Sequence, residues 1–133
     1  MPEPAAPLSI LVVDDDPVAR LLTRHMLEPE GHTVVDVASP VAAREALDAQ
    51  SFSLILCDFE MGEENGLDLL ASLGSNHPPF ALLTGVMDRK RLASDATDEE
   101  DEAMIHSAGV MGFLSKPVST DELRALVNQL ANA

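Results

Sequence analysis

Four short apolar runs in this chain each stop at a residue able to handle phosphate or a metal ion. Ile10-Leu11-Val12-Val13 runs into Asp14-Asp15-Asp16, and Leu54-Ile55-Leu56-Cys57 stops at Asp58. Phe80-Ala81-Leu82-Leu83 stops at Thr84, and Met111-Gly112-Phe113-Leu114-Ser115 stops at Lys116, with Pro117 next. Continuous apolar runs of this length, without polar alternation, suit strands covered on both faces. In an open parallel α/β sheet, ligands bind outside the carboxyl ends of the strands. Polar residues at those ends therefore converge on one place although they are far apart in sequence. Carboxylates, a hydroxyl and an ammonium gathered there point to a divalent cation and a phosphoryl group.

The segments between the runs read as helices. Asp16 suits an N-cap with Pro17 at the first helical position. Val18, Leu21, Leu22 and Met26 have helical spacing, and Pro29 with Gly31 ends that helix. Thr33 to Val37 reads as a second strand, and Ser39-Pro40 opens a second helix with Ala43, Ala46 and Leu47 on one face. After a strand over 53–57 comes a loop over 59–65. A short helix then carries Leu67, Leu70 and Leu73 and stops at Gly74. Ser119-Thr120-Asp121-Glu122 fits a capping box for a last helix that buries Leu123, Leu126, Val127 and Leu130. Between 86 and 109 the chain turns strongly acidic. Thr97 and Glu100 suggest a helix over about 98–107 there, and the charges read as a solvated face. Alternation of strand and helix with right-handed crossovers predicts an α/β fold, a doubly wound five-stranded parallel sheet.

Length and composition narrow the function. A chain of 133 residues suits one domain with a sound core. The net charge of −15 argues against nucleic acid, whose binding proteins neutralise phosphates with Lys and Arg. No apolar stretch approaches the ~20 residues needed to span a bilayer. The opening residues 1–7, rich in proline and without a positive segment, read as a flexible leader rather than a secretory signal. Single Cys57 cannot form an internal disulfide and sits in an apolar run, so it reads as a buried hydrophobe in a reducing, cytoplasmic protein. The histidines His25, His32, His77 and His106 lack metal-ligand spacing and read as exposed or helix-end residues.

Magnesium favours hard oxygen ligands. Asp14 or Asp15 with Asp58 supplies carboxylates, and a backbone carbonyl just past Asp58 supplies a further oxygen. In a sheet ordered 2-1-3-4-5, strands one and three are neighbours at the topological switch point, so these acids face each other. A carboxylate there can attack phosphorus and form an acyl phosphate. Lys116 suits a point-charge role against the phosphoryl oxygens, and the Thr84 hydroxyl can donate to another.

With these motifs in place the sequence resembles the receiver domains of bacterial two-component response regulators. The likeness rests on Leu11-Val12-Val13-Asp14-Asp15-Asp16-Pro17, Leu54-Ile55-Leu56-Cys57-Asp58 and Glu60-Met61 through Asn65-Gly66-Leu67. Leu83-Thr84-Gly85 and Phe113-Leu114-Ser115-Lys116-Pro117 complete it. The resemblance implies the flavodoxin-like receiver fold over residues 8–133. It makes Asp58 the phosphoacceptor, charged by a sensor histidine kinase or a histidine phosphotransfer protein. Asp14, Asp15, Asp58 and the carbonyl of Glu60 would hold Mg²⁺ or Mn²⁺. Thr84, Phe113 and Pro117 would form the conformational switch, Lys116 would pair with phosphate, and the bond before Pro117 would be cis. Such a domain is no enzyme beyond assisting its own phosphorylation and dephosphorylation. Its partners would be the kinase side, a downstream protein and, through the fourth and fifth crossovers, a second copy.

The chain departs from the family pattern in places. Gly62 stands where proline is usual, and Gly85 where alanine is commoner. The stretch from Asp58 to Thr84 is short, and that from Thr84 to Lys116 is longer by a helical turn or two, all in the acidic fourth crossover. Glu60 and Val86 occupy positions expected to shield or repel attacking water. Two rival readings fit parts of the chain. A haloacid-dehalogenase-type phosphohydrolase matches Asp14-Asp15-Asp16-Pro17-Val18 but leaves Asp58 without a role. A receiver-like interaction module working without phosphorylation draws its support from the acidic crossover.

Overall fold

The structure, a computed structural model, describes residues 7–62, 64–74, 77–84, 110–115 and 119–131. The strands are β1 (Ser9–Val13), β2 (Thr33–Val37), β3 (Leu54–Asp58), β4 (Glu60–Met61), β5 (Glu64–Asn65), β6 (Phe80–Thr84) and β7 (Val110–Ser115). The helices are α1 (Pro17–Leu27), α2 (Pro40–Ala49), α3 (Gly66–Ser72) and α4 (Thr120–Ala131), with a 3₁₀ turn over Glu28–Glu30. The five-stranded sheet has the order β2-β1-β3-β6-β7, and every neighbouring pair is parallel. With β4 and β5 left out of the count, that is the expected 2-1-3-4-5.

Strand periodicity explains why the apolar runs are continuous. Successive side chains point to opposite faces, and here both faces are covered. Leu11, Val13, Ile55, Cys57, Phe80 and Leu82 face one core, with Ala43 of α2 and Leu69 and Leu70 of α3. Ile10, Val12, Leu54, Leu56, Ala81 and Leu83 face the other, with Leu27 of α1 and Leu123, Leu126 and Val127 of α4. Cys57 is buried as the apolar run implies.

The caps follow the sequence signals. The Asp16 carboxylate accepts the Val18 N–H, and Pro17 occupies the first turn. Ser39 caps α2 through the Ala42 N–H, and the Ser119 hydroxyl accepts the Glu122 N–H at the start of α4. Asn65 and Asp68 form a reciprocal capping box on α3.

Three expectations change. The segment 59–65 is not a plain loop: β4 and β5 pair antiparallel, Glu60 with Asn65 and Met61 with Glu64. Gly62 turns the ribbon at φ +79°, a left-handed conformation that glycine adopts without Cβ strain. The α1 stripe is also turned mostly outward, with only Met26 of its four residues packed against the core. Val18, Leu21 and Leu22 are exposed, while Thr23 and Leu27 are buried. Third, His32 is buried rather than exposed: its Nδ1 accepts the Leu8 N–H at 3.0 Å. Burial pushes its imidazole below the usual range. Residues 1–6 of the leader expected over 1–7, the helix expected over 98–107 and the rest of 85–109 lie outside the described residues.

Candidate functional site

The carboxyl ends of β1 and β3 form the site. Val13 is in register with Cys57, so the next residues, Asp14 and Asp58, stand level on adjacent strands. Parallel neighbours lie about 4.8 Å apart, which brings the two side chains together. Ligand oxygens of Asp14, Asp15 and Asp58 all lie within 4.8 Å of one another. Asp14 and Asp58 are 1% and 5% exposed, and Asp15 is open to solvent. Two buried carboxylates and one exposed one, this close together, are a costly arrangement for like charges. The same set of hard oxygens suits a small divalent cation.

Each acid is placed by its own surroundings. The Asp14 N–H donates to the Val37 carbonyl at 3.1 Å, continuing the β1–β2 ladder past Val13. An oxygen of its carboxylate accepts the Asp16 N–H at 2.9 Å, an Asx turn that aims the chain into α1. Its carbonyl accepts from Arg20 Nη1 at 2.7 Å. On the Asp58 side, the Phe59 N–H donates to the Leu83 carbonyl at 2.9 Å, and the Gly66 N–H to the Phe59 carbonyl at 2.7 Å. A Cβ on Gly66 would lie 2.7 Å from Leu82 Cδ2 and 2.9 Å from the Asp58 carbonyl oxygen. Glycine is what lets α3 start this close to the phosphoacceptor candidate.

Glu60 is exposed in β4, two residues past Asp58. The ribbon it opens is tied to α2 by a bidentate pair: Arg44 Nη1 and Nη2 each reach a Glu64 carboxylate oxygen at 3.1 Å. That guanidinium holds the Glu64 carboxyl below its usual range. Arg44 also donates to the Ser72 hydroxyl of α3.

Thr84 ends β6 in register with Ser115 of β7, and Phe113 pairs with Leu82. The backbone of Thr84 thus lies one residue beyond Leu83, the partner of Asp58. Lys116 and Pro117, following Ser115, lie outside the described residues, as do Gly85 and Val86. The geometry brings together Asp14, Asp15 and Asp58 and aligns the strand ending in Thr84 with them.

Arg20 is the residue that the sequence reading missed. An arginine on a surface helix reads as solvated, and nothing in its spacing ties it to Asp14. A pocket of about 530 Å³ lies near the amino ends of β3 and β6, lined by Leu47, Phe52, Leu73, His77 and Pro78 among others. Among the described residues, none of those expected to handle phosphate lines it.

The family model for the response regulator receiver domain matches residues 10–128. Over 115 residues, 86% of this chain, the sequence is 36% identical to the alginate biosynthesis transcriptional regulatory protein AlgB of Pseudomonas aeruginosa. The match takes in 24% of AlgB, so this chain spans about a quarter of that relative's length. An uncharacterized 14.6 kDa protein of Leptolyngbya boryana is 34% identical over 129 residues, covering 93% of this chain and 90% of that one. Among solved structures, a response regulator receiver protein from Pseudomonas putida superposes with a TM-score of 0.76 at 31% identity. That superposition covers 94% of this chain and 98% of the other.

Proposed function

Because this chain belongs to the response regulator receiver domain family and so serves two-component signalling, we propose that Asp58 is its phosphoacceptor. The observation that carries the reading is the cluster of Asp14, Asp15 and Asp58 at the strand ends. Receiver domains take phosphoryl groups from histidine kinases, and here an Asp58 oxygen attacks the phosphorus of a phosphohistidine. The new P–O bond gives an acyl phosphate as the P–N bond breaks and the electron pair leaves on the imidazole, which takes up a proton. Asp58 is nearly buried, which keeps the nucleophile short of competing water. Thr84 donates its hydroxyl to one phosphoryl oxygen, and Lys116 sets its ammonium against another.

The oxygens of Asp14, Asp15 and Asp58 fit Mg²⁺ or Mn²⁺, with the Glu60 carbonyl as a further ligand. Bound there, the cation would neutralise charge on the transferring group. Inorganic chemistry apart, the chain itself orients Asp58 through β3 and the Phe59–Leu83 bond. Phosphorylation draws Thr84 inward, Phe113 follows, and the fourth and fifth crossover face changes. The 8–133 span works as one receiver unit after a short leader, with the acidic fourth crossover choosing the downstream partner or a second copy. The working compartment is the cytoplasm. Among the described residues, no helix is long and apolar enough to cross a membrane.

Intact mass after incubation with acetyl phosphate and Mg²⁺ tests the reading on wild type and Asp58→Asn. One phosphate on wild type and none on the variant is expected. A folded wild type that binds Mg²⁺ yet takes no phosphate would favour the phosphorylation-independent module.

A further inference from the structure

We propose that Arg20 is a positioning residue for the cation site, acting through the backbone of Asp14. Its Nη1 donates to the Asp14 carbonyl at 2.7 Å while its Nε donates to Asp36 Oδ2 at 3.1 Å. Asp36 is the β2 residue directly before Val37, whose carbonyl takes the Asp14 N–H. Both backbone polar groups of Asp14 are therefore tied to the end of β2, one directly and one through Arg20. Arg24, one turn further along α1, holds the other oxygen of Asp36 at 2.6 Å. Asp36 is thus fixed from two sides and in turn fixes Arg20.

The arrangement concerns geometry rather than charge. The Arg20 guanidinium sits on Asp36 and both side chains are about one-fifth exposed, 19% and 22%, so its charge is offset beside the site. Were the charge itself what mattered, neutralising Arg20 would tighten cation binding, because a repelling neighbour would be gone. Loss of positioning has the opposite sign. A carboxylate that must meet Asp15 and Asp58 around a small cation loses affinity when its backbone can swing. Arginine suits the task because its planar fork can serve a carbonyl and a carboxylate at once.

The proposal rests on the acidic cluster being a divalent-cation site, so the wild-type result comes first. Wild type that binds no Mg²⁺ by titration calorimetry sinks that reading and this one together. Given wild-type binding, Mg²⁺ affinity is measured on Arg20→Met, which keeps the stem without donors, and on Arg20→Lys. The expected result is weaker binding by roughly tenfold in Arg20→Met, within the range seen when the partners that orient metal ligands are removed. Arg20→Lys, whose ammonium can still donate to the Asp14 carbonyl but lacks the fork that reaches Asp36 as well, recovers part of the affinity. Phosphorylation by acetyl phosphate falls at limiting Mg²⁺ and returns to wild-type rate at saturating Mg²⁺. An unchanged or tighter Mg²⁺ affinity in Arg20→Met overturns the proposal, whatever happens to stability, and so does equal weakening in both variants. Should Arg20→Met fail to fold, wild-type NMR decides. The Arg20 Nε–H and Asp14 carbonyl resonances then have to shift along the Mg²⁺ titration with one midpoint, and resonances that stay in place overturn it.

Discussion

Asp14 and Asp58 face each other across one crevice, and what surrounds their backbones differs in emphasis. The Asp14 arm is strapped by directional bonds: the Val37 carbonyl on its N–H, Arg20 on its carbonyl, and the Asp16 N–H on its carboxylate. The Asp58 arm has backbone bonds beside it, from the Phe59 N–H to the Leu83 carbonyl and from the Gly66 N–H to the Phe59 carbonyl, and adds close contact to them. Asp58 ends a fully buried strand, and Gly66 comes so close to its carbonyl that no side-chain carbon fits between. An arm held by polar bonds can lose its aim while the fold survives. An arm held by contact cannot be changed without disturbing the core beneath it. Variants on the two arms should therefore separate: stability moves on the Asp58 side and ligand affinity on the Asp14 side.

The largest effect expected is from Gly66→Ala. Its Cβ would sit 2.7 Å from Leu82 Cδ2 and 2.9 Å from the Asp58 carbonyl oxygen, and Leu82 is completely buried. Neither neighbour can withdraw cheaply. Overpacking of this kind costs about 1–3 kcal/mol, read as a lower urea midpoint, and Asp58 phosphorylation should slow with it. A Gly66→Ala protein as stable as wild type would break the comparison, because close contact would then not be what fixes the Asp58 arm.

The contrast between the arms matches what the sequence disclosed. The strand-end acids were legible because burial on both faces demands continuous apolar runs, and each run marks its own end by the first polar residue. The two-sided core follows from the same runs. What escaped was whatever depends on orientation. In α1 the apolar positions make two overlapping stripes, and periodicity predicts a helix without saying which stripe faces inward. Val18, Leu21 and Leu22 are exposed, whereas Thr23, whose hydroxyl bonds back to the Ala19 carbonyl, is buried with Leu27. Arg20 was invisible for the same reason: its role depends on which way α1 is turned against β2. The β4–β5 ribbon escaped because strands of two residues carry no periodic signal.

His32 gives a smaller effect, on the far end of the Asp14 arm. Its Nδ1 accepts the Leu8 N–H, and the Thr33 N–H donates to the Leu8 carbonyl, so the pair fastens the entry of β1 to β2. Burial lowers the imidazole's folded value below its ordinary one. Between those two values the unfolded chain binds a proton that the folded chain does not. The contribution is therefore complete above the ordinary value of about 6.5 and is lost as pH falls through the window toward the folded value. His32→Asn supplies an acceptor oxygen that does not titrate. Between about pH 7.5 and 5.5, wild type should lose more stability in urea than this variant does. Equal losses would mean that His32 does not couple this strand entry to pH.

Arg44→Ala should have the smallest effect and sharpens the contrast most finely. Arg44 and Glu64 make a bidentate pair across α2 and the ribbon just past Asp58, so on paper they mirror the Arg20–Asp36 clamp. They differ in surroundings: Arg44 and Glu64 are about one-third exposed or more, 33% and 39%, against 19% and 22% for the other pair. Exposed pairs are screened by water and salt and contribute little to stability. The urea midpoint of Arg44→Ala should therefore match wild type within error. Amide exchange across the ribbon, at Glu60 and Asn65, should quicken a few-fold, while Mg²⁺ affinity stays as it was. A midpoint drop as large as that of Gly66→Ala would reverse the assignment. The Arg44–Glu64 clamp would then carry as much of the Asp58 arm as the contact at Gly66 does, and the two sides of the crevice would be built alike.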